Sequence, residues 1–308
     1  MNKKLLRDKN ASGQALLLVL LLMAVVLTVV LSFVSRSVTD VAVTSREEEA
    51  LRAFSAAQAG VERALIVGNV GETQIGDAKF SAEVSSGASG EPELPYHLPL
   101  VSGESGTIWF VSHDADGNIA PCDPSDPERQ CFTGSSMDFC WGVTGTPDND
   151  DDTPAVEVSI FYDPDPTNLT YSDVEIKRAT FDPYDFRIVD PLNGNAFAPD
   201  SATACPISPD LAQYQFYTGS ITTPADCAVG EEGCLLFANV KTIYNESAQP
   251  FGIKVSGDDP GGLPAQGVTI ESSGSAGEAN RKIEVFQSYG QPPDIFNAAV
   301  FSIGDLTQ

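Results

Sequence analysis

The fold is decided by residues 15–31, which read ALLLVLLLMAVVLTVVL, and the uncharged stretch extends to Val34. Twenty helical residues at 1.5 Å each measure about 30 Å, which matches the hydrocarbon core of a bilayer. A helix in the core of a soluble protein has at least one polar face, whereas this stretch is apolar on every side. The sequence therefore predicts a membrane-spanning helix near the N-terminus.

Charges on either side of this stretch predict its orientation. Basic residues precede it at Lys3, Lys4, Arg7 and Lys9, and acidic residues follow at Asp40 and at Glu47, Glu48 and Glu49. Basic residues favour the cytoplasmic side, so we expect a single-pass protein of the cytoplasmic membrane, with its N-terminus inside and its C-terminal domain outside. A secretory signal peptide, removed at the far end of the stretch, is the competing interpretation, although its apolar region is normally shorter.

Helical character continues beyond the apolar stretch, which favours a retained helix. Leu51, Phe54, Val61 and Leu65 recur at heptad-like spacings, and we expect them to face neighbouring helices or the protein's own sheet. Glu48 and Arg52 form an i,i+4 pair. The cluster Gly68-Asn-Val-Gly71 predicts the end of a helix of about 50 residues, on the order of 80 Å long.

Three features of this region resemble a known family. They are a short charged leader, Gly13 just before the apolar stretch, and the small-residue block Ala56-Ala-Gln-Ala-Gly-Val-Glu62. Together they resemble the N-terminal region of PilX-type minor pilins of type IV pili and of related pseudopilins. The resemblance covers residues 11–67, which is less than a quarter of the chain.

The resemblance implies a processing site and a set of partners. Residues 1–13 would be a leader that a prepilin peptidase removes after Gly13, leaving Gln14 as a new and methylated N-terminus. Residues 14–67 would then be the transmembrane and amphipathic stalk helix, which packs against other pilin subunits, with Leu18 in its membrane part. Many pilins carry Glu at the fifth mature position, which is Leu18 here, so the resemblance implies a minor subunit acting in pilus assembly, initiation or adhesion. The alternative is an uncleaved, single-pass surface adhesin or binding protein that never enters a filament.

Residues 72–308 predict a β-rich extracellular domain, so the fold class is α+β. Short β-prone segments alternate with turn-forming residues, which is typical of an antiparallel sheet. The segment 120–154, rich in Cys, Pro and Asp, is predicted as an irregular insertion. The predicted strands are Lys79–Val84, Thr107–Ser112, Ala155–Tyr162, Glu175–Phe181, Phe186–Val189, Tyr214–Thr218, Leu235–Lys241, Gly252–Val255, Val268–Glu271, Lys282–Ser288 and Ala298–Ile303.

Six cysteines all follow the apolar stretch, at Cys122, Cys131, Cys140, Cys205, Cys227 and Cys234. An even number outside the membrane predicts disulfides, and the sequence leaves their pairing open. Metal binding is the other interpretation, but zinc sites favour closely spaced Cys pairs and the chain has no CxxC motif.

Charge and motifs narrow the function further. The chain has 17 basic and 43 acidic residues, and a net charge of -26 argues against a nucleic-acid partner. We expect no enzyme, because the sequence contains no GxSxG, HExxH, GxGxxG or Walker motif, and no catalytic constellation around its two histidines, His97 and His113. No cofactor is expected apart from calcium, for which Asp114, Asp116 and Asn118 alternate as in part of an oxygen-rich calcium loop. The acidic run 148–152 is a second calcium candidate.

Overall fold

The described part of the chain begins with one long helix. The computed structural model describes residues 12–86, 90–114, 117–126, 129–166, 173–190, 192, 194–257 and 262–293, and for residues 12–15 only the backbone. Helix α1 (Ser12–Val67) ends where the sequence predicts. Gly68 has a φ of +75° and donates its N–H to the Ala64 carbonyl at 2.9 Å, and a left-handed glycine at this position is a frequent helix stop.

Strands make up most of the rest of the described chain. In chain order the elements are β1 (Val70–Ile75), β2 (Ala78–Ser86), β3 (Glu93–Pro95), β4 (Ser105–Trp109), β5 (Ser136–Trp141), β6 (Ala155–Tyr162), β7 (Glu175–Asp182), α2 (Asp185–Val189), β8 (Ala198–Pro199), β9 (Phe216–Thr222), β10 (Leu235–Ile243), β11 (Phe251–Ser256), β12 (Gly267–Ala276) and β13 (Ala279–Ser288). The α+β expectation of a long apolar helix followed by an antiparallel, disulfide-containing β-rich region is confirmed.

Two sequence predictions need correction. The predicted strand Phe186–Val189 is wrong, because these residues form helix α2. The Asp182 carboxylate accepts the N–H of Tyr184 at 2.9 Å and also contacts Arg187, so the chain turns back on itself here. The predicted irregular segment 120–154 contains strand β5, whose side chains are largely buried. The predicted strand Ala298–Ile303 lies outside the described residues.

The chain divides into two compact units, and the smaller one contains α1. It comprises the chain up to Val84 together with Ile270–Val285, so its sheet strands come from distant parts of the sequence. The strand order is β1-β2-β12-β13. Its buried apolar cluster joins the C-terminal part of α1 to this sheet and includes Phe80 and Ile270.

The larger unit comprises Ser85–Thr269 and the chain from Phe286 onward. It has a five-stranded sheet, β4-β10-β6-β7-β8, and a four-stranded sheet, β3-β11-β5-β9. Among the described strands of these two sheets, β7 and β8 pair in parallel and all other neighbours are antiparallel. One apolar core draws on both sheets, for example Ile160 of β6 and Phe251 of β11. Trp141 is fully buried there, and its indole Nε1 donates to the Pro154 carbonyl at 2.8 Å.

All six cysteines form disulfides, which confirms that prediction and supplies the pairing. The bonds are Cys122–Cys131, Cys140–Cys205 and Cys227–Cys234. Two of them close short loops, with sequence separations of 9 and 7, whereas Cys140–Cys205 ties the core strand β5 to a residue 65 positions away.

Candidate functional site

The first part of α1 is exposed along its whole length. Every side chain from Leu16 to Glu48 is exposed, and the part from Leu16 to Val34 is apolar except for Thr28 and Ser32. The Thr28 hydroxyl donates to the Val25 carbonyl at 2.8 Å, which satisfies it within the helix, as a lipid environment would require. In length and composition this part of α1 therefore fits a single-pass membrane anchor.

The last part of α1 packs on the sheet of the smaller unit through small residues. The buried side chains recur every three or four positions, which places them on one face of the helix. They are Ala53, Ala56, Ala57, Val61 and Ala64. We call this set the alanine face. It allows the helix backbone to lie much closer to the sheet than leucine or phenylalanine would permit.

Two glycines complete this close contact. A Cβ on Gly274 of β12 would stand 2.1 Å from the carbonyl oxygen of Ala53 and 2.5 Å from the backbone nitrogen of Ala57. A Cβ on Gly60 of α1 would stand 2.1 Å from the Ser272 hydroxyl oxygen. At Gly274 the added methyl group would meet rigid helix backbone, so this glycine is needed for the helix and sheet to meet, whereas at Gly60 the Ser272 side chain would have to move.

The larger apolar residues of the same helix segment remain exposed. Leu51, Phe54 and Leu65 are 68%, 43% and 50% exposed, whereas Val61 is only 9% exposed. Of the four residues expected to face helices or the sheet, the structure therefore places only Val61 against the sheet. Leu18 is also exposed, in the apolar part of α1. For the exposed residues Leu18, Leu51, Phe54 and Leu65, packing against neighbouring helices stays a prediction.

A carboxylate fixes the β12–β13 turn to the helix. Glu49 of α1 accepts the backbone N–H of Glu278 at 3.1 Å, beside the turn residue Gly277, which has a φ of +57°. Glu48 forms the predicted ion pair with Arg52 on the exposed side of the helix. Glu49 therefore ties the β12–β13 turn to α1, whereas the Glu48–Arg52 pair is exposed.

The predicted processing site lies at the start of α1. Gly13 and Gln14 belong to the first helical turn, and their side chains are not among those described. The predicted cleavage between them is not tested by this geometry and stays a prediction.

The predicted calcium loop is only partly described, because Asp116 lies outside the described residues. The Asp114 carboxylate accepts the N–H of Asn118 at 2.9 Å and its side-chain amide at 3.5 Å, so it stabilises the turn that contains Gly117. Within the described ranges, no three His, Cys, Asp or Glu residues are arranged to hold a metal ion. Calcium binding at this loop stays a prediction.

The second calcium candidate, residues 148–152, lies in the larger unit beside other acids. The Asp152 carboxylate accepts the backbone N–H of Glu246. Burial, and then the nearby Asp148 carboxylate, raise the pKa of Asp200. These carboxylates repel one another, and within the described residues they do not form a set of metal ligands.

A buried ion pair, which the sequence did not predict, lies next to this acidic run. Asp182 is fully buried, and Arg187 donates to its carboxylate at 2.7 and 3.0 Å. The same guanidinium donates to the Thr153 carbonyl at 2.6 Å and lies 4.3 Å from the ring centre of Tyr244. Arg187 therefore joins α2, the acidic run and the turn after β10 in one network.

The two histidines pack against aromatic rings, His97 against Tyr96 and Phe286. His113 is stacked on Tyr289 at 4.1 Å and meets Trp109 edge-on at 4.5 Å. Burial lowers the pKa of His113 to about 4, so it is neutral at pH 7. Burial also lowers the pKa of His97, which is more exposed.

No protein-family model matches the sequence, and neither curated proteins nor solved structures give a significant match to the chain.

Proposed function

We propose that the protein is a minor pilin-like subunit of a type IV pilus or of a related filament or secretion machine. Its helix α1 would be anchored in the cytoplasmic membrane, with the β-rich part outside. The observation that carries this proposal is the division of α1 into two parts within one unbroken helix. An apolar, unpacked part runs from Leu16 to Val34, and a later part lies on a sheet through the alanine face.

The length of α1 supports more than anchoring. A membrane span needs about 20 residues, whereas α1 has 56 and measures roughly 84 Å. Its later part still exposes Leu51, Phe54 and Leu65. Exposed apolar groups arranged along a rigid helix favour contact with another apolar surface, and the helices of neighbouring subunits would provide one.

The apolar part of α1 also suits both a membrane and a bundle of helices. No charged residue occurs from Leu16 to Val34. When this part of α1 moves from the bilayer into a bundle of helices, no charged side chain is therefore buried without a partner. The acid that many pilins carry at the position of Leu18 is absent, which supports a minor subunit. Gly13 and Gln14 would be the prepilin peptidase site.

The second candidate function is a single-pass surface binding protein that stays in the membrane. It shares α1 with the first. It is favoured by an uncharged cavity in the larger unit, lined by aromatic residues such as Tyr96, Trp109 and Phe286.

Filament fractionation distinguishes these two functions. In a strain that assembles surface filaments, we expect the wild-type protein in the sheared filament fraction. Phe54→Asp, on the exposed side of α1, should remain in the membrane but fall at least tenfold in filaments. The matched control Phe186→Asp changes an exposed phenylalanine of α2, 63% exposed, and should be incorporated normally. A wild-type protein found only in the membrane fraction would refute the filament proposal and favour the binding protein.

A further inference from the structure

The larger unit contains a cavity of about 210 Å³ that the proposed function does not use. Its lining residues lie in four segments of this unit: 94–97 at the end of β3 and just after it, 107–109 in β4, 266–269 around the start of β12, and 286–291 at the end of β13 and just after it. Its volume is below the 300–1,000 Å³, roughly, that is typical of sites for drug-sized ligands. The cavity therefore suits a single ring rather than an extended molecule.

Aromatic rings form the walls of this cavity. Tyr96 and His97 lie with their ring centres 4.5 Å apart, and His97 meets Phe286 edge-on at 5.1 Å. Trp109 and Tyr289 also line the cavity, and both pack against the buried His113. Rings packed on one another in this way present a fixed apolar surface to a ligand.

Gln266 holds Trp109 in place. Its amide oxygen accepts the backbone N–H of Trp109 at 2.7 Å, and its amide nitrogen donates to the backbone carbonyl of Trp109 at 2.9 Å. The same nitrogen donates to the Pro264 carbonyl at 2.8 Å. Gln266 is therefore a positioning residue, which fixes the wall by binding the backbone of β4 at both polar groups.

The cavity is uncharged in a highly charged protein. None of the described residues that line it is Asp, Glu, Lys or Arg, and the lining histidine, His97, has a lowered pKa. The chain as a whole carries 60 charged residues, of which 43 are acidic. A charged ligand would lose water here without gaining an opposite charge, which is costly. The ligand should therefore be neutral.

Several polar side chains at the cavity have hydrogen-bonding capacity to spare. Among the described residues, His97, Thr269 and Ser288 line the cavity and have no side-chain hydrogen-bond partner. The Gln291 amide donates to the Tyr96 hydroxyl at 2.8 Å, which places a further polar pair at the rim. A purely apolar ligand, such as a phenyl group, would bury these groups without partners and lose affinity.

We propose that this cavity binds one neutral sugar ring of a surface glycan. A pyranose has a face of C–H groups that packs on aromatic rings, and an edge of hydroxyls that pairs with Thr269, Ser288 and His97. Hydroxyl recognition of this kind discriminates strongly against ligands that lack the hydroxyls. The proposal does not depend on whether the chain enters a filament, because it rests on the larger unit alone.

Titration of the full-length protein tests the proposal. The protein is kept in a detergent without a sugar head group, and the probes are uncharged methyl glycosides of glucose, galactose, mannose and N-acetylglucosamine. Binding is followed by saturation-transfer NMR and by the fluorescence of Trp109, with the fully buried Trp141 as a constant background. We expect saturable binding of at least one neutral glycoside and no binding of glucuronate or glucosamine.

Variants then assign the binding to this cavity. Phe286→Ala should weaken the affinity at least tenfold, and Thr269→Val should weaken it without loss of fold. The matched control Phe186→Ala removes an exposed phenylalanine outside the cavity and should leave the affinity unchanged. The proposal is overturned if no neutral glycoside binds up to its solubility limit, if p-cresol binds better than every sugar, or if the two phenylalanine variants titrate alike.

Discussion

Gly274→Ala tests how closely α1 lies on its sheet. The added methyl group would stand 2.1 Å from the Ala53 carbonyl oxygen and 2.5 Å from the Ala57 nitrogen. Both atoms belong to the helix backbone, so no side-chain rotation can relieve the contact. The helix must move by about 1 Å or more, because ordinary contacts of a carbon atom are about 3.5 Å.

The expected cost follows from this geometry. Overpacking of a well-packed core costs about 1–3 kcal/mol, and we expect the upper part of that range because rigid atoms collide. A loss of 2 kcal/mol raises the population of the undocked helix about 30-fold. An undocked helix segment loses its tertiary support and its backbone hydrogen bonds open more often, so hydrogen–deuterium exchange of the helix amides near Gly60, with the protein held in detergent, should become faster.

The matched control is Gly71→Ala in β1 of the same unit, where an added Cβ meets nothing within 4 Å. This variant should exchange within about twofold of wild type. The reasoning is refuted if Gly274→Ala also exchanges like wild type. That result would mean that α1 lies farther from β12 than the structure places it.

Two further predictions concern ion pairs of the larger unit. Arg187→Met leaves the buried Asp182 without its cation, and urea denaturation should show that the free energy of unfolding falls by about 3–5 kcal/mol. The control is Lys241→Met, which changes a lysine that is in no ion pair among the described residues. It should lower the free energy of unfolding by about 0.5 kcal/mol or less. A hydrogen bond from Lys254 at 2.8 Å lowers the pKa of Glu93 from its ordinary value of 4.5. Glu93→Gln should therefore reduce stability at pH 7, and its difference from wild type should shrink as the pH falls below 4.5 through the lowered pKa.

Each of these predictions has a result that would contradict it. Equal stability losses for Arg187→Met and Lys241→Met would mean that the buried carboxylate finds another partner. For Glu93→Gln, a stability difference that stays constant from pH 7 to below the folded pKa would show that the pKa of Glu93 is not lowered by folding. Both series use urea unfolding with a probe of the larger unit, such as the fluorescence of Trp141.

The long helix could be predicted from sequence, because its signals are local. The apolar stretch from Leu16 to Val34 and the glycine stop at Gly68 each depend on residues that are close together in the chain. Which face of the helix packs on the sheet could not be predicted, because it depends on β12. Heptad spacing favours Leu51 and Phe54 as packing residues, but the close approach at Gly274 admits only small side chains.

In the larger unit, too, features that depend on residues close together in the chain could be predicted, and features that depend on distant residues could not. Strand β6, a continuous β-prone segment, has the predicted bounds. Strand β5 could not be predicted, because Cys and Asp residues in a Pro-rich segment are typical of a loop. In the structure these residues have distant partners: Cys140 is bonded to Cys205, and Asp138 accepts the Tyr217 hydroxyl at 2.7 Å. The aromatic cavity could not be predicted from the sequence either, because its lining residues come from four separate parts of the chain.

The mature N-terminus tests the central claim most directly. The full-length chain is expressed with a prepilin peptidase, extracted from membranes and analysed by intact-mass and N-terminal peptide mass spectrometry, with Gly13→Leu as the unprocessed reference. The pilin-like account predicts a chain that begins at Gln14, whether free, methylated or cyclised, and a Gly13→Leu chain that retains its leader. A wild-type chain that still begins at Met1 or Asn2, in cells whose peptidase processes a known prepilin, would contradict the account.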